Sequence, residues 1–351
     1  MERAGLRDRV DKALAAFLAG QRARVLEIDP ALADVADALE AFVLRGGKRL
    51  RPAFAYWGYR GAGGLDSDHV VAAVSSLELV QASALIHDDL MDRSDTRRGE
   101  PAVHRRFAEM HTASGWRGGA AGFGDSAAVL LGDLAMVWSD ELLHTSGVDP
   151  ADLARARPVF DRMRAEVTLG QYLDVHAQAT GDTSVERAGQ VARYKSAKYT
   201  VERPLLLGAA LAGAPAALIA GYERFGLPLG EAFQLRDDIL GVFGDPAQTG
   251  KPAGDDLREG KRTFLVAVAS AAAPPADRAE LDARLGDATL DLAGVERLRA
   301  IIRDSGALAR TEERIGTLTW AALDALAGAE IEEEPRAVLV ALAEAATQRA
   351  G

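Results

Sequence analysis

Glycine and proline cut this chain into segments of helical length, and that spacing constrains its fold more than any other feature. The marks fall at Gly46-Gly47, Gly61 to Gly64, Pro150, Gly181, Gly213 to Pro215, Gly226 to Pro228, Gly244 to Pro246 and Pro274-Pro275. Between them run stretches of roughly 15–30 residues rich in Ala, Leu, Arg and Glu, all good helix formers. Leu77, Val80, Ala84 and Leu85 recur at helical spacing, as do Val129, Leu130, Leu134 and Val137. Alternating β-branched runs are scarce, and no period of about 20–50 residues repeats, which argues against a solenoid. The pattern predicts one all-α domain over residues 1–351, a bundle of roughly ten or more helices.

Composition narrows the function. The net charge of −11 argues against a general nucleic-acid or anionic-membrane binder. The chain has no cysteine, which excludes disulfides, thiol catalysis and cysteine-ligated metals. Its first residues are charge-dense and lack the apolar core of a signal peptide, so a cytoplasmic location is expected. Pro204 to Tyr222 is an uncharged stretch of 19 residues. The Gly213-Ala214-Pro215 interruption inside it predicts two buried bundle helices rather than a membrane span. His111 to Asp125, with glycines at 115, 118, 119, 122 and 124, is expected to be a mobile loop.

The chemistry concentrates in two acidic motifs. In Leu85 to Arg93 the aspartates Asp88 and Asp92 stand one helical turn apart on one face, where their charges repel unless a cation lies between them. Oxygen-only ligands favour Mg²⁺, although one such motif alone also fits a solvated helix end. A second pair, Asp237-Asp238, follows 149 residues after Asp88. Basic residues flank both pairs: Lys48, Arg49 and Arg51 before the first, Arg97-Arg98 after it, Lys251 and Lys261 after the second. Of 41 basic side chains only six are lysines (12, 48, 195, 198, 251 and 261), so these positions stand out as places for a compact ammonium. Fixed cations beside carboxylate–metal sites suit one diphosphate or two.

The sequence closely resembles the trans-isoprenyl diphosphate synthases, the head-to-tail prenyltransferases of the polyprenyl synthetase family, over about residues 46–315. The marks are GGKRLRP at 46–52, HDDLMD at 87–92, RRGEPAVH at 97–104, GQYLD at 170–174, FQLRDDILGVFGDP at 233–246 and GKPAGDDLREGKRT at 250–263. The resemblance implies an isoprenoid-synthase-type bundle around a central cavity, a homodimer, and a cofactor set of three Mg²⁺ ions. It implies Mg²⁺ ligands at Asp88, Asp92 and Asp237. Isopentenyl diphosphate falls to Lys48, Arg51, Gln81 and Arg98, and the allylic diphosphate (dimethylallyl, geranyl or farnesyl) to Arg97, Lys198, Gln234, Lys251 and Lys261. Because the family's departing diphosphate takes the released proton, no histidine base is needed, and His87 reads as a packing residue.

The sequence departs from the family pattern in places. Tyr199, with Thr200 beyond, replaces the usual threonine after Lys198, and Gly241 stands where many members have a third aspartate. Asp245 reads as a helix-end residue rather than a replacement. Product length is expected to follow the helix carrying Asp88. Farnesyl-specific members place bulk four or five residues before that aspartate; here Ser83 and Ala84 are small. The floor then lies near Val80, or on a facing helix at Met136 and Trp138, and a C20 product, geranylgeranyl diphosphate, is the first expectation, with C15 or a longer chain as alternatives. A class I terpene cyclase needs no second diphosphate pocket, and a non-catalytic subunit typically loses one acidic motif; both fit this chain less well.

Overall fold

A computed structural model describes residues 2–245 and 254–348. The chain is all-α, and it divides into two compact units, residues 1–159 with 204–214, and residues 160–203 with 215–351.

The first unit contains α1 (Glu2–Ile28), α2 (Ala33–Leu44), α3 (Leu50–Gly61), α4 (Asp68–Met91), α5 (Val103–Ala113) and α6 (Ala120–His144), with the first turns of α7 (Pro150–Thr180). Ser67 caps α4 by accepting from the His69 N–H. The helix then runs almost wholly inside: Leu77, Leu79, Val80 and Ile86 are fully buried. It packs most extensively on α6, and the two are antiparallel. Arg93 reaches Asp125 at 2.8 Å, His87 Nε2 lies 3.1 Å from the Val129 carbonyl, and His69 Nδ1 meets the Gly147 carbonyl at 2.5 Å. These three contacts set Ser83 level with Leu134, and Leu79 and Val80 level with Trp138.

Pro204 to Tyr222 divides as expected, into the end of α9 (Arg203–Leu211) and the start of α10 (Ala216–Phe243). By length and composition two other helices could cross a bilayer, α4 and α6, whose most apolar windows are 72% and 28% buried. Burial makes α4 a core helix. On α6 the stripe expected from periodicity faces outward instead: Val129, Leu130 and Val137 are 45%, 66% and 61% exposed.

The 111–125 segment is not a loop. His111 lies in the last turn of α5, residues 114–119 make a tight corner, and α6 begins at Ala120. His111, Trp116 and Phe123 interlock with ring centroids 5.3–5.9 Å apart. Gly124 is there because α6 crosses α5 so closely that a side chain would overlap the His104 carbonyl.

In the second unit α8 (Val185–Val191) leads into a π-helical stretch (Ala192–Glu202), and α10, on which the unit is built, packs on that stretch and on α15 (Ala307–Ala327). Between them in sequence come α11 (Asp255–Arg258), α12 (Phe264–Ala272), α13 (Pro275–Arg284) and α14 (Leu292–Asp304), and α16 (Glu333–Thr347) follows. Leu235, Ile239 and Val242 of α10 join Leu265, Leu298 and Ile301 in one apolar core. This fixes the rotation of α10 and leaves Asp237 on its exposed side.

Candidate functional site

In the first unit the acidic motif sits at a helix end. Asp88 lies in the last turn of α4 and Asp92 is its C-cap. Arg93 follows with φ 56°, and the Ser94 N–H bonds back to the Asp89 carbonyl, the pattern that closes a helix through a left-handed residue. Asp89 is buried and forked by Arg97, whose Nε lies 2.8 and 3.1 Å from its two oxygens. The same guanidinium is 3.7 Å from Asp88. Arg97 is held there by a two-residue hairpin: Thr96–Arg97 pairs with Glu100–Pro101 across Arg98 and Gly99, both at positive φ as such a turn demands.

His87 is a packing residue, as expected. Its ring fills the notch at Gly132 of α6, where any side chain would collide with it.

Basic side chains cluster in the same unit, with Arg98 near Arg49, Arg51 and Arg97. Lys48 is exposed in the turn before α3, Arg51 is half-buried in the first turn of α3, and Gln81 is half-buried on α4. Arg98 donates to the Arg45 carbonyl at 3.0 Å. Loss of hydration lowers its basicity; Glu78 opposes that shift, while Arg49, Arg97 and Arg51 add to it. Several like charges around one carboxylate leave a surplus of positive field, which is what an anion requires.

The second unit gathers Gln234, Asp237, Asp238, Asp256 and Lys261. Asp237 is exposed, whereas Asp238 is buried and accepts from Gln234 Nε2 at 2.7 Å. Burial pushes the Asp238 carboxyl up to about 8, against the Gln234 hydrogen bond and with help from Asp256 and Asp237. Lys261 Nζ lies 2.6 Å from Glu259 and 3.8 Å from Asp256. The glycine at 241 now has a physical reason: a side chain there would overlap the Asp256 carboxylate, which takes up that space. Lys251 falls outside the described residues.

Lys198 lies in the π-helical stretch, a form of helix that recurs at functional sites. It pairs with buried Glu202 at 2.8 Å. Tyr199 and Thr200 are both buried. The same stretch presents Lys195, which meets Asp174 of GQYLD at 2.6 Å. Lys195 stood out in the sequence by the scarcity of lysine, but neither spacing nor the family motifs gave it a role.

Among the described residues no three His, Asp or Glu side chains converge into a ready-made metal cage. The donors still fit Mg²⁺, which takes one or two carboxylates and completes its octahedron with water and phosphate oxygens.

An all-α fold that carries two Asp-Asp motifs, each with cations close by, defines an enzyme that handles diphosphates. The chain belongs to the polyprenyl synthetase family, whose model matches residues 33–302. Among its relatives, geranylfarnesyl diphosphate synthase of Aeropyrum pernix is 34% identical over 77% of this chain and 79% of its own length. Geranylgeranyl diphosphate synthase of Mycobacterium tuberculosis is 33% identical over 74% of this chain and 69% of its own. Among solved structures, geranylgeranyl pyrophosphate synthase of Corynebacterium glutamicum, complexed with isoprenyl diphosphate and magnesium, superposes with a TM-score of 0.95 at 43% identity, covering 98% of this chain and 99% of that one.

Proposed function

We infer that this trans-prenyltransferase condenses isopentenyl diphosphate with an allylic diphosphate and releases geranylgeranyl diphosphate, C20. The observation that carries the chain length is the small, buried Ser83 with Ala84 beside it on α4, just below Asp88. On the strip of α4 that carries Ser83 and Ala84, the next bulky side chain toward the start of the helix is Val80, level with Trp138 of α6. The relatives named for C20 and C25 products support the same reading. The family match runs through both compact units, which supports reading residues 1–351 as one catalytic domain.

Asp88, Asp92 and Asp237 are the carboxylates that would hold Mg²⁺, three ions in the family's arrangement. When bound, the metal neutralises the departing diphosphate. Arg97, Lys198, Gln234, Lys251 and Lys261 clamp the allylic diphosphate, and Lys195 joins them as a further ammonium on the π-helical stretch. Lys48, Arg51, Gln81 and Arg98 hold isopentenyl diphosphate with its double bond against the allylic carbon. The allylic C–O bond breaks and its electron pair leaves with the diphosphate. The double bond then attacks, and the released diphosphate takes the proton that restores neutrality. Water must be kept out throughout, because it would capture the cation.

The outward apolar stripe of α6 at Val129, Leu130 and Val137 supports a homodimer. Leu130→Glu with Val137→Glu should give a monomer by light scattering.

The chain-length reading is tested by incubating the protein with labelled isopentenyl diphosphate, an allylic primer and Mg²⁺, followed by chromatography of the dephosphorylated products. A C20 alcohol is expected. A C15 alcohol or a cyclic hydrocarbon as the main product would overturn it.

A further inference from the structure

Among the described residues three side-chain-bearing positions have positive φ, and all three are arginines of the site loops: Arg49, Arg93 and Arg98. For Arg93 and Arg98 the reason is local, a helix end and a hairpin turn. Arg49, at φ 50°, is the N-cap of α3, a position that ordinarily takes extended backbone, so the helix start does not account for it. It precedes α3 in the GGKRLRP loop, between Lys48 and Arg51, and its side chain turns inward until only 4% of it is exposed. There it donates Nε to Asp11 at 2.8 Å, one terminal nitrogen to Glu78 at 2.6 Å and the other to the Val43 carbonyl at 2.8 Å. One guanidinium thus ties α1, α4 and the end of α2 to the turn that carries Lys48.

A left-handed arginine persists only where its surroundings over-determine it. Here those surroundings are a buried ion pair, costly to break because Glu78 itself is only 6% exposed and would be left charged inside the protein. Gly47 links this pair to the pocket. Its φ is 106°, and a side chain there would touch the guanidinia of both Arg49 and Arg98.

We propose that Arg49 and Glu78 are a positioning pair for the isopentenyl diphosphate pocket. Arg49 does not touch the anion; locked onto Glu78, it fixes the left-handed turn that sets Lys48 and Arg51 and holds Gly47 against Arg98. This rests on the pocket assignment made above for Lys48, Arg51 and Arg98.

Glu78→Gln keeps the shape of the side chain and removes its charge, and the two possible roles of Arg49 then give opposite signs. If Arg49 positions the loop, weakening its anchor raises KM for isopentenyl diphosphate about tenfold, leaves kcat at saturation within about twofold, and leaves KM for the allylic substrate unchanged. If Arg49 is itself a ligand, loosening it lowers that KM, which overturns the proposal, as does an unchanged KM. Arg49→Lys, which keeps the charge but cannot span three acceptors, is expected to raise KM in the same way. A wild-type KM in that variant also counts against the pair. Equilibrium binding of labelled isopentenyl diphosphate should weaken in step with KM, and a wild-type Kd alongside a raised KM would likewise overturn the positioning role. Lys48→Ala run alongside tests the assignment beneath: if it leaves KM for isopentenyl diphosphate unchanged, the pocket itself is wrong, whatever Glu78→Gln does.

Discussion

Gln234 donates to Asp238 one turn further along α10, at 2.7 Å, and Asp237 beside it stands exposed. The first motif divides in the same way, with Asp89 buried and forked by Arg97 and Asp88 only half-buried. In each Asp-Asp pair one carboxyl group is buried on a hydrogen-bond partner and the other is more exposed. Asp238→Asn, which keeps an acceptor for Gln234 and removes the buried ionisable group whose pKa burial raises to about 8, should raise stability at pH 7 relative to wild type. Asp237→Ala should leave the thermal midpoint unchanged. Calorimetry of the two variants checks the division.

Gly241 and Asp256 cannot both carry a carboxylate in the space between them. Gly241→Asp is expected to lower stability by about 1–3 kcal/mol through overpacking and like-charge repulsion. Adding Asp256→Gly should restore most of that loss, a coupling that a double-mutant cycle measures directly.

The difference in burial within each Asp-Asp pair was not legible in the sequence, because both aspartates read alike until packing fixes the rotation of the helix. The helices themselves were legible: the Pro215 interruption gave two helices, and the spacing of Leu77 and Val80 gave a core face. The apolar period on α6 was equally clear, but periodicity reports a stripe and not what covers it, so Val129 and Val137 emerged on the outside. The 111–125 segment misled because its glycines read as punctuation. Gly124 instead serves a close helix crossing, and Gly122 simply lies inside α6. The π-helical stretch at 192–202 leaves no periodic trace over so few residues, so Lys195, though singled out as a rare lysine, had no partner or role in the sequence.

Ser83 tests the chain-length reading from within the fold. It is buried on α4 and level with Leu134 of the antiparallel α6. Ser83→Phe should shift the main product from C20 to C15, at about 1–3 kcal/mol of overpacking. An unchanged C20 distribution would mean that another face sets the length.

His104 gives the fold a pH dependence of known sign. It is buried at the start of α5, and burial lowers its pKa below 6.5, against the pull of Asp125 and Asp89. As pH falls, the unfolded chain takes up this proton before the folded one does, so the stability present above about pH 6.5 declines below it until the folded ring protonates. His104→Gln should show a smaller drop in thermal midpoint between pH 7.5 and 5.5 than wild type. Parallel curves would remove His104 as a contributor.

The two acidic motifs are proposed to ionise the allylic diphosphate together through Mg²⁺. The most direct measurement is the rate of prenyl diphosphate formation, at saturating substrates and Mg²⁺, by wild type, Asp88→Ala and Asp237→Ala. Each substitution alone is expected to cost about a thousandfold or more in kcat, and chelation to abolish the wild-type rate. A near-wild-type rate in either variant, with the fold intact, would contradict the proposal.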